Sequence, residues 1–288
     1  MIFLDAATTR ACLPMATAIE AMRLGLGDDR DVPMRAVLAG AAFMPGRAGE
    51  FTGVKVVSLV PGNPAGLVVV FGPDGNPLGL VDGPTLTAIR TGAAAGLATH
   101  LLAPPGTAVL AMLGAGAMAR DQIAAVAAVR TIDEIRVWSR VEARAQRVAD
   151  EVGAKVFATP AEAVNGATII STATPSRTAL FADGDLGRTV HLNAVGAFTP
   201  EMCEIPSDLV QRAFVVVDDL EAAAVEAGDL IQAGVEPDCT LADILSGRRS
   251  PPSGASTLFK SVGIASQDVA AGVAAIEGAH RLGLGREV

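Results

Sequence analysis

The chain has 288 residues, half of them hydrophobic but only 3% aromatic, with no tyrosine and a formal net charge of −9 at pH 7. That length allows about two domains around a sizeable aliphatic core. The absence of tyrosine excludes a tyrosine general acid, and the acidity weighs against nucleic acid or an anionic membrane as partner. Three scattered cysteines, Cys12, Cys203 and Cys239, form neither a metal spacing nor a disulfide framework. No signal peptide opens the chain and no apolar run is long enough to cross a bilayer, so a cytoplasmic protein is expected.

Residues 1–102 carry no βαβ pattern. PMATAIEAMRL (Pro14–Leu24) predicts a helix with Pro14 in its first turn, and residues 32–39 an extended segment. GVKVVSLV (Gly53–Val60) and LVVVF (Leu67–Phe71) predict strands, split by the turn-rich PGNPAG at 61–66. PDGNP (Pro73–Pro77) predicts a hairpin turn and Leu78–Val81 its returning strand, giving an antiparallel or mixed sheet. Thr85–Leu102 predicts a long helix. Its Gly92 and Gly96 belong to a packing stripe, because no strand precedes them.

Ala103-Pro104-Pro105-Gly106 is the clearest linker. Behind it stands TAVLAMLGAGAMAR (Thr107–Arg120), which reads as a buried strand, a glycine turn and the start of a helix. Gly114, Gly116 and Ala119 fit the G-x-G-x-x-G/A dinucleotide fingerprint. Gly114 permits the sharp turn, Gly116 lets the backbone approach a pyrophosphate, and Ala119 lets helix and strand pack closely. The pyrophosphate is expected at the helix N-terminus. Further strands are predicted at Glu134–Trp138, Lys155–Phe157, Ala167–Thr172, Val190–Val195 and Ala213–Val217, with helices at Ala117–Val129, Val141–Val152 and near Pro160–Val164. Six strands with helical crossovers predict a Rossmann-type, doubly wound, mostly parallel sheet. A last helix, Gln267–Leu282, is expected to return to the first domain.

Gly53-Val54-Lys55, Leu86–Thr91 (LTAIRT), Leu113–Ala117 (LGAGA), Ser171–Thr174 (STAT), Asn193–Gly196 (NAVG) and Ser261–Gly263 (SVG) with Asp268 follow one another in this order. By them the chain resembles the ornithine cyclodeaminase/mu-crystallin family over most of its length. The resemblance implies a homodimer. It also implies a discontinuous α+β substrate-binding and dimerisation domain (1–103 with 264–288) and a Rossmann dinucleotide-binding domain (104–263).

The resemblance implies roles as well. Arg35 and Lys55 bind the substrate carboxylate, Arg90 stands where cofactor and substrate meet, and Val262 touches substrate. Gly114, Gly116, Ala117, Met118, Thr174, Val195 and Ser261 contact the cofactor. The chemistry agrees. A small imino or keto acid needs a cationic pocket, in which arginine offers a carboxylate fork and lysine a point charge that can protonate the imine nitrogen, making Lys55 the catalytic candidate. A lone Arg or Lys is more often a solvated surface charge, but Lys55 lies among valines. His100, His191 and His280 read as packed or surface histidines. Asp218-Asp219 reads as a cap or turn, and Asp268 as a residue that caps or ties the last helix.

Two positions refine the expectation. Where NAD-preferring sites place an acidic residue after the second strand, this chain has Ser139-Arg140, which suits a 2′-phosphate. NADPH is therefore expected as cofactor, with NADH accommodated; alternatively Arg140 only flanks the adenine. Where the cyclodeaminases carry their catalytic aspartate, two positions after NAVG, stands Phe198, which can neither activate water nor shuttle a proton. The GAFTPEM stretch resembles bacterial members acting on Δ1-pyrroline-2-carboxylate. The expected activity is reduction of that cyclic imine, or of Δ1-piperideine-2-carboxylate, to the L-amino acid. Cyclodeamination, an alanine-type imino acid dehydrogenase and a mu-crystallin-like ligand-binding protein without turnover are the alternatives.

Overall fold

The computed structural model describes Met1–Val60 and Ala65–Val288. The turn predicted at 61–66 lies, in its residues 61–64, outside the described residues. The chain divides into two units, one formed by Met1–Ala94 with Gly263–Val288, the other by Ala95–Val262.

The first unit begins with β1 (Ile2–Leu4), α1 (Ala6–Cys12) and α2 (Met15–Gly25), where Pro14 stands at the N-cap rather than inside the first turn. The strands β2 (Arg30–Asp31), β3 (Ala36–Leu38), β4 (Ala41–Ala48), β5 (Phe51–Ser58), β6 (Gly66–Phe71) and β7 (Pro77–Asp82) follow, then α3 (Gly83–Leu102). The sheet is mixed, with β1 parallel to β7 and the other pairs antiparallel. Hairpin β6–β7 turns at Gly75, whose φ of +78° suits glycine.

The second unit holds β8 (Ala108–Leu113), α4 (Ala119–Val129), β9 (Ile132–Trp138), α5 (Glu142–Val152), β10 (Lys155–Val156), α6 (Pro160–Val164), β11 (Ile169–Thr172), β12 (His191–Ala194), α7 (Ser207–Arg212), β13 (Phe214–Val217), α8 (Leu220–Glu226), α9 (Gly228–Ala233), β14 (Cys239–Thr240), α10 (Leu241–Leu245) and β15 (Thr257–Lys260). Its sheet runs β10-β9-β8-β11-β12-β15-β13-β14, all parallel. Eight strands replace the six predicted. The missed β15 lies between β12 and β13. Its four residues, TLFK, are all buried, but Thr257 and Lys260 at its ends disguise the apolar run.

The chain then closes the first unit with α11 (Ala265–Leu282) and β16 (Arg286–Glu287). α11 lies on the sheet because glycines there remove the side chains that would hold it off. A Cβ at Gly46 would stand 2.7 Å from the Ala265 methyl, and one at Gly79 3.0 Å from Ile276 Cδ1. The division falls within α3 at Ala94 rather than at the APPG linker. The physical reason is that the end of α3 is tied to the second unit. Arg130 Nη2 donates to the carbonyl oxygens of Thr99, His100 and Ala103, and Asn193 Nδ2 donates to Thr99 Oγ1.

Candidate functional site

In the first unit, strand alternation puts Gly53 and Lys55 on the face of β5 that meets α11, and Gly53 there faces Val269. Lys55 pairs across the sheet with Met44 and Val68, both buried. Its ammonium meets Asp268 in the first turn of α11, Nζ to Oδ2 at 2.8 Å. Arg90 of α3 reaches the same carboxylate, Nε to Oδ1 at 3.1 Å, and donates from Nη1 to Gln267 Oε1 at 2.6 Å. Arg35 donates from Nη2 to the carbonyl of Gly263 at 2.9 Å. The backbone of Gly263, at φ +78°, lies against the Arg90 guanidinium so closely that a Cβ there would stand 2.8 Å from Nη2. Arg35, Lys55 and Arg90 are thus gathered by α11 and the residue pair just before it.

Lys55, Arg90 and Asp268 are each at most 5% exposed. Burial pushes the Lys55 ammonium down to about 8; Asp268 opposes this, while Arg90 and Arg35 push the same way as burial. Burial raises the Asp268 carboxyl, but Lys55 and Arg90 more than offset it, and it lies below the ordinary value. Of the two roles expected for Asp268 the structure shows the tie, to Lys55 of β5 and Arg90 of α3, while the N-cap of α11 is Ile264. Asp268 is the shared carboxylate of a buried cation cluster.

In the second unit, the ends of β8 and β9 open on a cleft of about 430 Å³. Gly114, Gly116, Ser139, Arg140 and Thr174 line it, with Trp138, Arg144 and Pro175. Gly114 has φ +113°, and a Cβ on it would stand 2.5 Å from the Ala173 carbonyl oxygen. A Cβ on Gly116 would meet nothing within 4 Å, so this backbone is open to an approaching group. Helix α4 starts at Ala119, leaving Ala117 and Met118 in the turn before it rather than in the helix predicted there. Together the open glycine backbone and the helix start fit the pyrophosphate of a dinucleotide.

Ala117, Met118, Val195, Ser261 and Arg90 do not line this cleft. Val195 follows β12 and donates its N–H to the Thr172 carbonyl. Ser261 donates from Oγ to Asp218 Oδ2 at 2.8 Å, and Val262 N–H donates to the same oxygen at 3.1 Å. Asp218 thus positions two of the expected contact residues and is no cap; the cap of α8 is its neighbour Asp219.

Sequence reasoning also missed Glu204. Its buried carboxylate accepts hydrogen bonds from Thr172 Oγ1, from Thr174 N and Oγ1, and from Gly196 N at 2.6–2.9 Å. It holds the ends of β11 and β12 together, and Gly196 has no room for a Cβ against Thr174. Burial raises its pKa, with Lys260 opposing and Asp229 reinforcing. Its only sequence signal is an acid eight residues after the glycine that ends NAVG, which no periodicity marks. Phe198, between them, is 48% exposed. His191 is packed inside, its Nδ1 2.8 Å from Thr257 Oγ1 and its Nε2 3.2 Å from Asn193 Oδ1.

A parallel α/β unit with a dinucleotide-type cleft, joined to a mixed-sheet unit with a buried Lys-Asp-Arg cluster, defines a two-unit α/β class. The profile of the ornithine cyclodeaminase/mu-crystallin family matches residues 33–280, and the chain belongs to that family. It is similar to Δ1-pyrroline-2-carboxylate reductase from Bacillus cereus, 36% identical over 263 residues, covering 83% of this chain and 81% of the relative. Ketimine reductase mu-crystallin from Mus musculus is 34% identical over 216 residues, covering 74% and 69%. Among solved structures, Thermococcus litoralis Δ1-pyrroline-2-carboxylate reductase in complex with NADH and L-proline superposes with a TM-score of 0.91 at 28% identity, over all of both chains.

Proposed function

We propose that this chain reduces a small cyclic imino acid to the L-amino acid with NADPH, NADH being accommodated. Δ1-Pyrroline-2-carboxylate, giving L-proline, is the leading substrate, with Δ1-piperideine-2-carboxylate second. The observation that carries the reading is the buried Lys55–Asp268–Arg90 cluster with Arg35 beside it. Burial first, and then the neighbouring Arg90 and Arg35, lower the Lys55 ammonium against the pull of Asp268, and three cations gathered around one carboxylate suit a second carboxylate as ligand.

Arg35 and Arg90 hold the carboxylate through guanidinium forks, and Val262 bounds the ring. Lys55, with a pKa near 8, is charged at neutral pH yet an easy proton donor, and it protonates the imine nitrogen. Asp268 keeps its ammonium in place and stays ionised itself. The dinucleotide, when bound, supplies the hydride to C2. Gly114, Gly116, Ala117 and Met118 would hold its pyrophosphate and Ser139 and Arg140 its 2′-phosphate, and Thr174, Val195, Ser261 and Arg90 would supply the further cofactor contacts that family membership implies. The relatives named for imine reduction support this reading, and Phe198 speaks against cyclodeamination, which needs a base to activate water.

Exposed apolar side chains at Val37, Leu38, Leu59 and Val60, 49–65% accessible, support a homodimer formed through the first unit. The test of function is NADPH and NADH oxidation with pyrroline-2-carboxylate, piperideine-2-carboxylate and pyruvate plus ammonia, beside ammonia release from ornithine with NAD+. One or both cyclic imines give the highest kcat/KM. A higher value for pyruvate plus ammonia overturns the substrate assignment.

A further inference from the structure

The cleft of the second unit holds a second arginine that the fingerprint does not name. Arg144 lines it together with Ser139 and Arg140. It occupies the third position of α5, its backbone N–H donating to the carbonyl of the N-cap residue Val141 at 2.9 Å. That is an awkward place for a cation, because the positive end of the helix dipole favours acids in the first turn. Glu142, in the same turn, obeys the rule; Arg144 breaks it. No ion pair compensates. Among the described residues neither Arg140 nor Arg144 has a side-chain hydrogen bond or salt bridge, and both are exposed. No Asp or Glu lines the cleft. Ser139 Oγ accepts the Val141 N–H at 3.4 Å, which leaves its O–H free to donate outward.

Two guanidiniums, a helix N-terminus and a hydroxyl donor therefore face one cleft with no resident anion. A local rule broken without compensation inside the molecule points to a ligand outside it. A phosphate monoester carries about −1.5 to −2 at neutral pH, a charge that one guanidinium leaves half-matched and two match fully. A ribose with a free 2′-hydroxyl has nothing to give two cations, and the carboxylate that would accept its proton is missing here. We propose that Arg144 is a second ligand of the 2′-phosphate, and that the Arg140–Arg144 pair, rather than Arg140 alone, sets the choice of NADPH over NADH. This rests on reading the cleft as a dinucleotide site.

The test compares 2′,5′-ADP with ADP by isothermal titration calorimetry on the full chain. These fragments carry the adenosine end with and without the 2′-phosphate. The unmodified protein binds 2′,5′-ADP more tightly. Arg144→Ala weakens 2′,5′-ADP about ten-fold, as loss of a charged hydrogen bond requires, and shifts ADP by less than about two-fold. Arg144→Lys restores part of the loss, since a point charge replaces the fork. Arg140→Ala/Arg144→Ala binds both fragments equally. Because Arg144 is exposed, its loss leaves the fold intact, and a thermal melt checks this. Unchanged 2′,5′-ADP binding in Arg144→Ala, or equal weakening of both fragments, overturns the proposal while leaving the dinucleotide reading standing. Failure of the unmodified protein to bind either fragment overturns that reading itself, and the proposal with it.

Discussion

Lys55 is the one residue of β5 that is buried, and the same burial that isolates it sets its chemistry. Its folded pKa near 8 predicts that kcat/KM for imine reduction falls as pH rises through that value, because the proton it donates is then gone. Lys55→Arg, which stays charged, moves that limb to higher pH; a limb that does not move assigns it to another group. Lys55→Ala lowers imine reduction by about 10²–10⁴-fold, in line with a lost general acid, while dinucleotide binding, read by calorimetry, stays within about two-fold. His191 supplies a second pH effect, on stability. Burial holds its pKa down to about 3 against 6.5 for the free side chain. The unfolded chain takes up this proton as pH drops below 6.5 while the folded chain does not, so stability falls between 6.5 and 3 by up to about 1.4 kcal/mol per pH unit. Urea midpoints at pH 7.5 and 5.0 measure the drop, and His191→Gln flattens it. An equal drop in both proteins places the acid sensitivity elsewhere. At this scale Lys55, Arg35 and Arg90 were legible because a cation flanked by apolar neighbours, or inside a quoted motif, stands out in one dimension. Glu204 and Asp218 were not, because their meaning lies in the strand ends they bridge, residues eight or more positions away.

At the scale of elements, the packing of α11 on its sheet depends on glycine. Gly79→Ala places a methyl 2.9 Å from the Ile2 carbonyl oxygen and 3.0 Å from Ile276 Cδ1. Backbone on one side cannot yield, so the variant loses about 1–3 kcal/mol of stability, the usual cost of overpacking. Denaturant unfolding at constant m-value shows this; a neutral result means that α11 shifts freely. The strand–turn–helix from β8 to α4 was readable because a buried run cut by glycine has few alternatives. β4 was not, because Pro45 and Gly46 interrupt its pattern while the sheet still accommodates them. β15 escaped for the opposite reason: Lys260 looks exposed in sequence, but its ammonium pairs at 2.8 Å with Asp229, both fully buried. A charge satisfied by a residue 31 positions earlier looks like a surface charge until the fold is known.

The whole molecule combines an uninterrupted parallel unit with one assembled from both ends of the chain. The last helix, which follows the end of the βα alternation in sequence, belongs to the first unit. The exact division within α3 was not legible in the sequence, because Arg130 binds the helix end through three backbone carbonyls, a link no local pattern announces. Val37 and Leu38 belong to β3, and Leu59 and Val60 follow β5, on the two sides of β4, with Leu59 N–H donating to the Gly40 carbonyl. If they meet a second copy, light scattering gives twice the chain mass at micromolar concentration, and Leu38→Glu with Val37→Lys shifts it toward the monomer. A monomeric mass for the unmodified protein contradicts the dimer. Hydride transfer to C2 of a cyclic imine is followed by isotope. NADPH deuterated at the transferring C4 position is incubated with Δ1-pyrroline-2-carboxylate and the protein, and the product is read by mass spectrometry and proton NMR. The expected product is L-proline carrying one deuterium, at C2, with no ammonia from ornithine when NAD+ is supplied instead. Proline without deuterium, or robust ammonia release from ornithine, would contradict imine reduction as the activity.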